Sequence, residues 1–392
     1  MSIDHDLLHL GRPQGAVRPV NTPIEMASTY VFESLADYEA ARAARFESGT
    51  LNYGRYGTPT TFALESMMAK LEGGHGCVVV SSGLTAVTMA LMPFVSSGCH
   101  ILIANSVYGP TRGFCTDVLS RLGVKAEYFD PMIGDGIAAL LRPETSAIVL
   151  ETPGSGTFEV PDLRAIAAVA RKAGVVTMVD NTWATPVFLR PLELGIDISV
   201  HSGTKYISGH SDLMIGLITA NEACFDRIRR NSLAFGERAS PAEIFLALRG
   251  LRSLGLRMRQ HAASGIKVAT WLAGQKRVRR VLHPALPSCP GHDIWKRDFE
   301  GAAGVFSFIM DAVDKPALTE FIDKLALFGI GLSWGGFESL ILPVDVSAVR
   351  TAPGWTQDGQ IIRLSIGLDD PDALIADLAA GFARLDQRGA GG

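Results

Sequence analysis

Residues 197–212 read DISVHSGTKYISGHSD, and the interpretation of the whole chain starts from this stretch. The apolar positions Ile196, Ile198 and Val200 alternate with polar ones, which predicts the end of a β-strand. The strand leads into a loop rich in glycine and hydroxyl-bearing residues, and this loop carries Lys205. A strand end can hold a lysine in a fixed position, so Lys205 is a candidate chemical centre. The alternative is an ordinary solvated loop lysine, and the rest of the chain decides between the two.

The composition predicts a globular protein of more than one domain. The chain has 392 residues, of which 47% are hydrophobic and 19% charged, so it can bury a substantial core. The net charge of −4 provides no basic field for nucleic acid. The basic run Lys276–Arg280 is interpreted as a solvated helix end. We therefore predict no nucleic-acid partner.

Cysteine usage and the lack of long apolar runs indicate the compartment. The five cysteines include no CxxC pair, a pattern typical of reduced thiols in a cytoplasmic protein. No run approaches the ~18 apolar residues that span a bilayer, and the first residues lack the basic and apolar parts of a signal peptide. We expect a cytoplasmic protein without a membrane partner, and we predict no metal site.

Residues 1–56 are rich in proline and small polar residues, with one predicted helix at 35–46. Because such a segment has little apolar surface to bury by itself, we expect an arm that lies on another part of the molecule or on a neighbouring subunit. The arm ends at Tyr53 and Arg55. These side chains belong either to an ordinary surface loop or to a clamp for a phosphate or carboxylate.

Beyond the arm, helices alternate with short, continuously apolar segments, which is the pattern of a parallel sheet covered on both faces. The predicted strands are 77–80, 100–104, 147–150 and 175–179. Ligands collect at the carboxyl ends of such strands. The residues that follow each strand are therefore the candidates for a site.

Three features follow these strands directly. Ser82-Gly83-Leu84 opens a helix and predicts either an ordinary turn or a phosphate cradle of unpaired backbone N–H groups. Tyr108 either packs its loop or faces a ligand. Asp180 either caps the next turn or meets a partner, because a lone buried carboxylate is costly. There is no GxGxxG or Walker sequence, which argues against a dinucleotide or ATP.

The second half of the chain predicts long helices and then a smaller α+β unit. The helices are placed at 222–233 and 242–273, and two of the strands at 304–310 and 361–366. We place the large domain at 57–251 and the C-terminal domain at 252–392. Arg363 interrupts the last apolar strand and therefore requires an anionic partner, either an internal acid or a substrate carboxylate.

A lysine, an aspartate, a phosphate turn and an aromatic ring all follow predicted strand ends, and pyridoxal phosphate requires this set. A lysine binds its aldehyde covalently, a carboxylate keeps its pyridine nitrogen protonated, and an aromatic ring stacks on it. Asp180 precedes Lys205 by one helix-and-strand unit, so neighbouring strand ends can present both. Each of these four features is weak evidence by itself, but their joint order along the chain strongly predicts a pyridoxal phosphate site.

With these motifs the sequence resembles the Cys/Met-metabolism family of pyridoxal-phosphate enzymes, and within it the bacterial cystathionine β-lyases. The resemblance covers nearly the whole chain. The motifs that carry it are YGR at 53–55, GTPT at 57–60, SGL at 82–84, Tyr108, DNTW at 180–183, SGTKY at 202–206, GHSD at 209–212 and SWGGFES at 333–339.

The resemblance implies a role for each candidate residue. Lys205 and Tyr108 are the implied catalytic residues, with Lys205 as the cofactor lysine, Tyr108 stacked on the ring and Asp180 paired with the pyridine nitrogen. The implied phosphate ligands are Gly83, Leu84, Ser202 and Thr204, with Tyr53 and Arg55 from the adjacent subunit. The implied ligands of the substrate's α-carboxylate are Ser333, Trp334 and Arg363.

The resemblance also implies a fold and an assembly. The fold is an aspartate-aminotransferase-like (fold type I) α/β domain with a mainly parallel sheet, a smaller α+β C-terminal domain and an N-terminal arm. The assembly is a homotetramer built as a dimer of dimers. An Arg55 supplied by the neighbour would leave a monomer without a complete site.

The implied activity is α,β-elimination of L-cystathionine to homocysteine, pyruvate and ammonia, in methionine biosynthesis. Trp334, in its Ser-Trp-Gly-Gly context, resembles the β-lyases, whereas Leu233 lies where some of them have a tyrosine. Cystine or cysteine-S-conjugate β-lyase, cystathionine γ-lyase and γ-synthase therefore stay open as alternatives. A non-catalytic binding or regulatory protein would have lost Lys205 or Asp180, and both are present.

Overall fold

The structure is a computed structural model that describes residues 2–347, 349–356 and 358–390. Its strands form two separate sheets, one of seven strands and one of five. None of the helices in these described ranges is both long enough and apolar enough to cross a membrane.

The large sheet is built from the apolar segments of the first half of the chain. Its strands are β1 (Gly76–Val80), β2 (His100–Ala104), β3 (Lys125–Phe129), β4 (Thr145–Glu151), β5 (Val176–Asp180), β6 (Ile198–Ser202) and β7 (Gly216–Ala220). They lie in the order β1-β7-β6-β5-β4-β2-β3, and only β7 runs antiparallel to its neighbours. The mainly parallel sheet predicted from the continuous apolar runs is confirmed. The prediction missed β3, a strand at the sheet's edge with polar residues.

The helices of the first 251 residues include those that connect the strands of this sheet. They are α1 (Ile3–His9), α2 (Leu35–Ala43), α3 (Pro59–Glu72), α4 (Gly83–Leu91), α5 (Gly109–Gly113), α6 (Leu163–Ala173), α7 (Thr185–Phe188), α8 (Glu222–Ala234) and α9 (Pro241–Leu251). Their ends follow the local sequence. In α6, for example, Asp162 accepts a hydrogen bond from the Ala165 N–H at the start, and Gly174 takes a left-handed conformation (φ 68°) at the end.

The second sheet lies in the C-terminal part of the chain. Its strands are β8 (Val278–Leu282), β9 (Val305–Met310), β10 (Gly329–Ile330), β11 (Leu340–Val344) and β12 (Gln360–Ser365), in the order β10-β11-β12-β9-β8. The helices of this part are α10 (Leu254–Ala273), α11 (His292–Asp298), α12 (Lys315–Asp323) and α13 (Pro371–Ala390). Phe306, Phe308 and Phe321 are fully buried between this sheet and its helices. The predicted smaller α+β unit is confirmed.

Two details of the sequence interpretation are wrong. The basic run Lys276–Arg280 does not end a helix but enters strand β8, where the exposed Arg279 pairs with Asp311 and Asp358 at 2.7 and 2.5 Å. The helical segment 242–273 is two helices, α9 and α10, because the chain turns at Arg252 and Ser253. Arg252 donates from this turn to the Leu7 and Leu10 carbonyls, both at 2.8 Å.

The N-terminal segment divides into a docked part and an exposed part. Helix α1, which was not predicted, buries Leu7 against its own chain. Farther along, Val17 and Val31 are 98% and 95% exposed and Met26 is 75% exposed. The segment therefore displays apolar side chains that its own chain leaves uncovered.

Candidate active site

The site is built where three parallel strands end side by side. In the register of β4, β5 and β6, Glu151 lies opposite Asp180, and Asp180 lies opposite Val200. Residues paired in this way point to the same face of the sheet. The fold therefore brings Asp180 next to the end of β6, from which the Lys205 loop departs.

Lys205 contacts the C-terminal part of the chain through its amine. Its Nζ donates to Ser333 Oγ at 2.8 Å and lies 5.4 Å from the centre of the Trp334 ring. Burial and the nearby positive charge of Arg363 lower the pKa of Lys205 to about 8, although Asp180 acts in the opposite direction. About one tenth of this amine is therefore neutral at pH 7, far more than of an ordinary lysine, and this form can act as nucleophile or base.

A buried arginine holds the loop that carries Lys205. The Arg257 guanidinium donates to the carbonyls of Tyr206, Gly250 and Ile207 at 2.6, 2.8 and 3.3 Å. Gly209 lies so close that a Cβ there would sit 2.1 Å from Arg257 Nη1. The sequence interpretation missed Arg257. No local pattern could have found this role, because the burial of Arg257 and its carbonyl acceptors arise only from the tertiary fold.

The Asp180 carboxylate uses one oxygen for the fold and leaves the other available. Oδ1 accepts hydrogen bonds from the Thr182 N–H at 2.9 Å and from the Thr182 hydroxyl, whose oxygen in turn accepts the Ser202 N–H at 2.8 Å. Oδ2 receives no hydrogen bond from any described residue. Burial raises the pKa of Asp180, while the Thr182 hydrogen bonds and the positive charges of His201 and Lys205 act to lower it. A cation or N–H donor at Oδ2 would stabilise the charged form.

The predicted phosphate turn lies against the Lys205 loop. Ser82 caps α4 by accepting the Thr85 N–H at 3.1 Å, and the free N–H groups of the first turn give that end a partial positive charge. A Cβ at Gly83 would lie 2.6 Å from Ser202 Oγ, so only glycine allows this approach. The Thr204 hydroxyl accepts the Ile215 N–H at 3.1 Å, and Leu84 is partly exposed.

Tyr108 and Arg363 border the site from the two halves of the chain. The Tyr108 N–H donates to Glu151 Oε2 at 2.5 Å, and the side chain is about half exposed. Burial and the charge of Asp180 raise the pKa of Tyr108, so its phenol stays protonated at neutral pH. Arg363 donates to the carbonyls of residues 331–333 at 2.9 to 3.3 Å. It has no acidic partner among the described residues, so the internal salt bridge considered above is not seen there.

Arg55 and Leu233 lie together in a different place, and Tyr53 directly precedes the short turn that carries Arg55. Arg55 donates to the Leu233 carbonyl at 2.5 Å and stacks 4.6 Å from the centre of the Tyr56 ring, while Tyr53 is 46% exposed. Within the described part of one chain, no hydrogen bond joins Tyr53 or Arg55 to the Lys205 loop or to the phosphate turn. The fold thus brings Lys205, Asp180, Ser202, Ser333 and Trp334 together, and it leaves Tyr53 and Arg55 outside this group.

The arrangement fits pyridoxal phosphate on observations of the chain itself. An amine of lowered pKa can bind an aldehyde, and the unbonded Asp180 oxygen can accept from a protonated ring nitrogen. Because Gly83 has no side chain, Ser202 can lie close to the N-terminus of α4, where a phosphate can bind the free N–H groups. These three features occupy one edge of the large sheet.

Comparison with known proteins agrees with this assignment. The family profile described as Cys/Met metabolism PLP-dependent enzyme matches residues 5–383. Cystathionine beta-lyase MetC of Escherichia coli is 44% identical over 390 residues, covering 98% of each chain. Cystathionine beta-lyase of Salmonella typhimurium is 43% identical over 391 residues, also covering 98% of each.

A solved structure supports the same fold. Cystathionine gamma-lyase from Lactobacillus plantarum, complexed with L-serine, superposes with a TM-score of 0.87 at 30% identity, covering 98% of this chain and 99% of that one. The predicted fold-type-I architecture is therefore confirmed. The chain belongs to the Cys/Met metabolism family of PLP-dependent enzymes.

Proposed function

We propose that this chain is a cystathionine β-lyase, a carbon–sulfur lyase that converts L-cystathionine to homocysteine, pyruvate and ammonia. The observation that carries the proposal is the position of the Lys205 amine, between Ser333 and Trp334 and beside the strand end of Asp180. The names of the relatives that match almost the whole chain favour the β-lyase over the γ-acting alternatives.

Pyridoxal phosphate would be held by residues from several elements. Asp180 would accept from the ring nitrogen through its free oxygen, and Tyr108 would stack on the ring. The phosphate would meet Gly83, Leu84, Ser202 and Thr204 at the start of α4. When bound, this cofactor stores the electron pair released at the substrate's α-carbon.

Lys205 would supply the proton transfers. Its pKa of about 8 would let the amine take up the α-proton near neutral pH and then give a proton to the departing sulfur. Ser333, which accepts from the amine at 2.8 Å, would orient Nζ for this transfer. The Trp334 ring covers the amine on one side and limits access of water to it.

Arg363 would bind the substrate's α-carboxylate together with Ser333 and Trp334. Its bonds to the 331–333 carbonyls hold the guanidinium beside Ser333 and Trp334. Its charge lacks an acidic partner among the described side chains, so a substrate carboxylate would compensate it. The identity of the leaving sulfur group would depend on contacts with the distal end of the substrate, where Leu233 would stand in place of the tyrosine of some β-lyases.

The remaining parts of the proposal concern the assembly. We infer that the chain forms a homotetramer in the cytoplasm and that Tyr53 and Arg55 reach the phosphate of an adjacent subunit. The exposed Val17, Met26 and Val31 support an arm that packs on another chain. We keep 1–56, 57–251 and 252–392 as the bounds of the arm and the two domains.

Incubation of the purified, cofactor-loaded protein with L-cystathionine tests the proposed activity. We expect pyruvate, homocysteine and ammonia in equal amounts. Formation of 2-oxobutyrate with cysteine would instead identify a γ-lyase. L-cystine and a cysteine S-conjugate run in parallel show whether cystathionine is the preferred substrate, and no keto acid from any of them would contradict lyase function.

A further inference from the structure

The end of strand β4 places a second carboxyl group, that of Glu151, beside Asp180. The two residues are opposite each other in the register of β4 and β5, on the same face of the sheet. Glu151 is the last residue of β4 and lies directly before the loop at 152–157, and the proposed reaction gives it no role. Two carboxyl groups this close do not both ionise easily, because each negative charge disfavours the other.

The surroundings of the two carboxyl groups differ. Asp180 accepts two hydrogen bonds from Thr182 and lies near the positive charge of Lys205. Glu151 accepts one hydrogen bond, from the Tyr108 N–H at 2.5 Å. No basic group lies within 4.0 Å of Glu151 in the described residues. The environment therefore favours the charge on Asp180.

The other charged groups around Glu151 nearly cancel. Arg350 and Glu159 face it from neighbouring loops, and they form a buried ion pair with each other at 3.1 Å. Burial and the Asp180 charge raise the pKa of Glu151 well above its usual range. These influences all point to a neutral carboxyl group at neutral pH.

We propose that Glu151 is a positioning residue for Tyr108: its neutral carboxyl group accepts the Tyr108 N–H and so fixes the loop that presents the Tyr108 ring. Asp180 carries the negative charge of the pair, and Glu151 supplies only a hydrogen-bond acceptor at the correct distance. The proposal rests on the proposed function, in which Tyr108 and Asp180 both face the cofactor.

The Glu151→Gln variant tests the neutral state. A glutamine keeps the acceptor oxygen and the length of the side chain, and it cannot carry charge. We expect its dissociation constant for pyridoxal phosphate to stay within about twofold of the unchanged protein. Glu151→Ala, which removes the acceptor, should weaken binding ~tenfold. Asp180→Asn, also a charge-removing amide substitution, should be far more damaging than Glu151→Gln.

Amide hydrogen exchange of the peptide that contains Tyr108 gives a readout independent of the cofactor. In the cofactor-free protein, Tyr108 should exchange ~tenfold faster in Glu151→Ala and at the original rate in Glu151→Gln. Two results for Glu151→Gln would overturn the proposal. One is fast exchange of the Tyr108 amide, and the other is a loss of pyridoxal phosphate affinity as large as that of Asp180→Asn. If Glu151→Ala does not fold, the Glu151→Gln and Asp180→Asn pair still decides it. Failure of the unchanged protein to bind pyridoxal phosphate would contradict the proposed function, whereas the exchange rates would still decide the role of Glu151.

Discussion

The carboxyl edge of the large sheet and the N-terminal arm differ in how many contacts their own chain gives them. At the sheet edge, Lys205, Asp180 and Ser202 are held by the hydrogen bonds of Arg257 and Thr182, all within one chain. The arm exposes Val17, Met26 and Val31 and leaves Arg55 bonded to Leu233. One chain is enough to determine the position of the residues at the sheet edge, whereas the arm residues have few contacts of their own chain to hold them.

Removal of Lys205 should produce the largest effect and act on the sheet edge alone. Lys205→Ala removes both the covalent attachment point and the base, so we expect pyruvate formation to fall by more than about 10³-fold. The absorbance of covalently attached cofactor should disappear with it. Lys172→Ala, at an exposed position on α6, is the matched control and should keep full activity. Substantial turnover by Lys205→Ala would show that the sheet edge is not the reacting centre.

Much of this edge could be predicted because its elements have strong local signals. Strand β2 was predicted with its observed ends, 100 and 104, since it is a continuous apolar run. Lys205, Asp180 and Gly83 follow such elements directly, so the parallel topology was enough to bring them together. The functional roles given to these residues stay predictions.

Other parts of the molecule depend on contacts between distant segments, which local patterns do not encode. Arg257 lies far along the chain from the Tyr206 carbonyl that it binds, and α1 is held by Arg252 at the end of α9. Strand β8, which directly follows Lys276 and Arg277, contains Arg279 and Arg280, and this basic run was mistaken for a helix end. Pairing with β9 overrides the polar sequence of the strand. Glu151 had the same signal as Asp180, an acid after a buried strand, and received no role.

Removal of Arg55 tests the arm and should have a smaller effect. If Arg55 binds the phosphate of a neighbouring subunit, Arg55→Ala loses a charge-assisted hydrogen bond worth about 1.5–3 kcal/mol, so the cofactor should bind roughly 10–100-fold more weakly. Arg42→Ala, an exposed arginine of the same arm, is the control and should bind normally. Unchanged affinity in Arg55→Ala would remove the arm from the site.

Mixing the Arg55→Ala and Lys205→Ala variants, at a cofactor concentration too low to fill the Arg55→Ala site, shows which chain supplies Arg55. After subunit exchange, a pair made of one Arg55→Ala chain and one Lys205→Ala chain contains one intact site if Arg55 acts on its neighbour. Random pairing should therefore restore about one quarter of the original activity. Exchange confirmed by mass spectrometry without recovered activity would place Arg55 in the site of its own chain.

The titration of Lys205 should give the smallest effect and measures how tightly the sheet edge controls its amine. The neutral amine attacks the cofactor aldehyde, so the rate at which cofactor-free protein binds pyridoxal phosphate covalently should rise about tenfold per pH unit and level off above a pKa of about 8. Arg363 lowers this pKa, so Arg363→Ala should move the midpoint to higher pH. Asp180 raises it, so Asp180→Asn should move the midpoint to lower pH. Opposite shifts of the midpoint in Arg363→Ala and Asp180→Asn would show that both halves of the chain set the pKa of Lys205.

A midpoint at the pKa of an ordinary lysine, unchanged by either substitution, would contradict this prediction. The amine would then be solvated like that of a surface lysine, and the sheet edge would not lower its pKa.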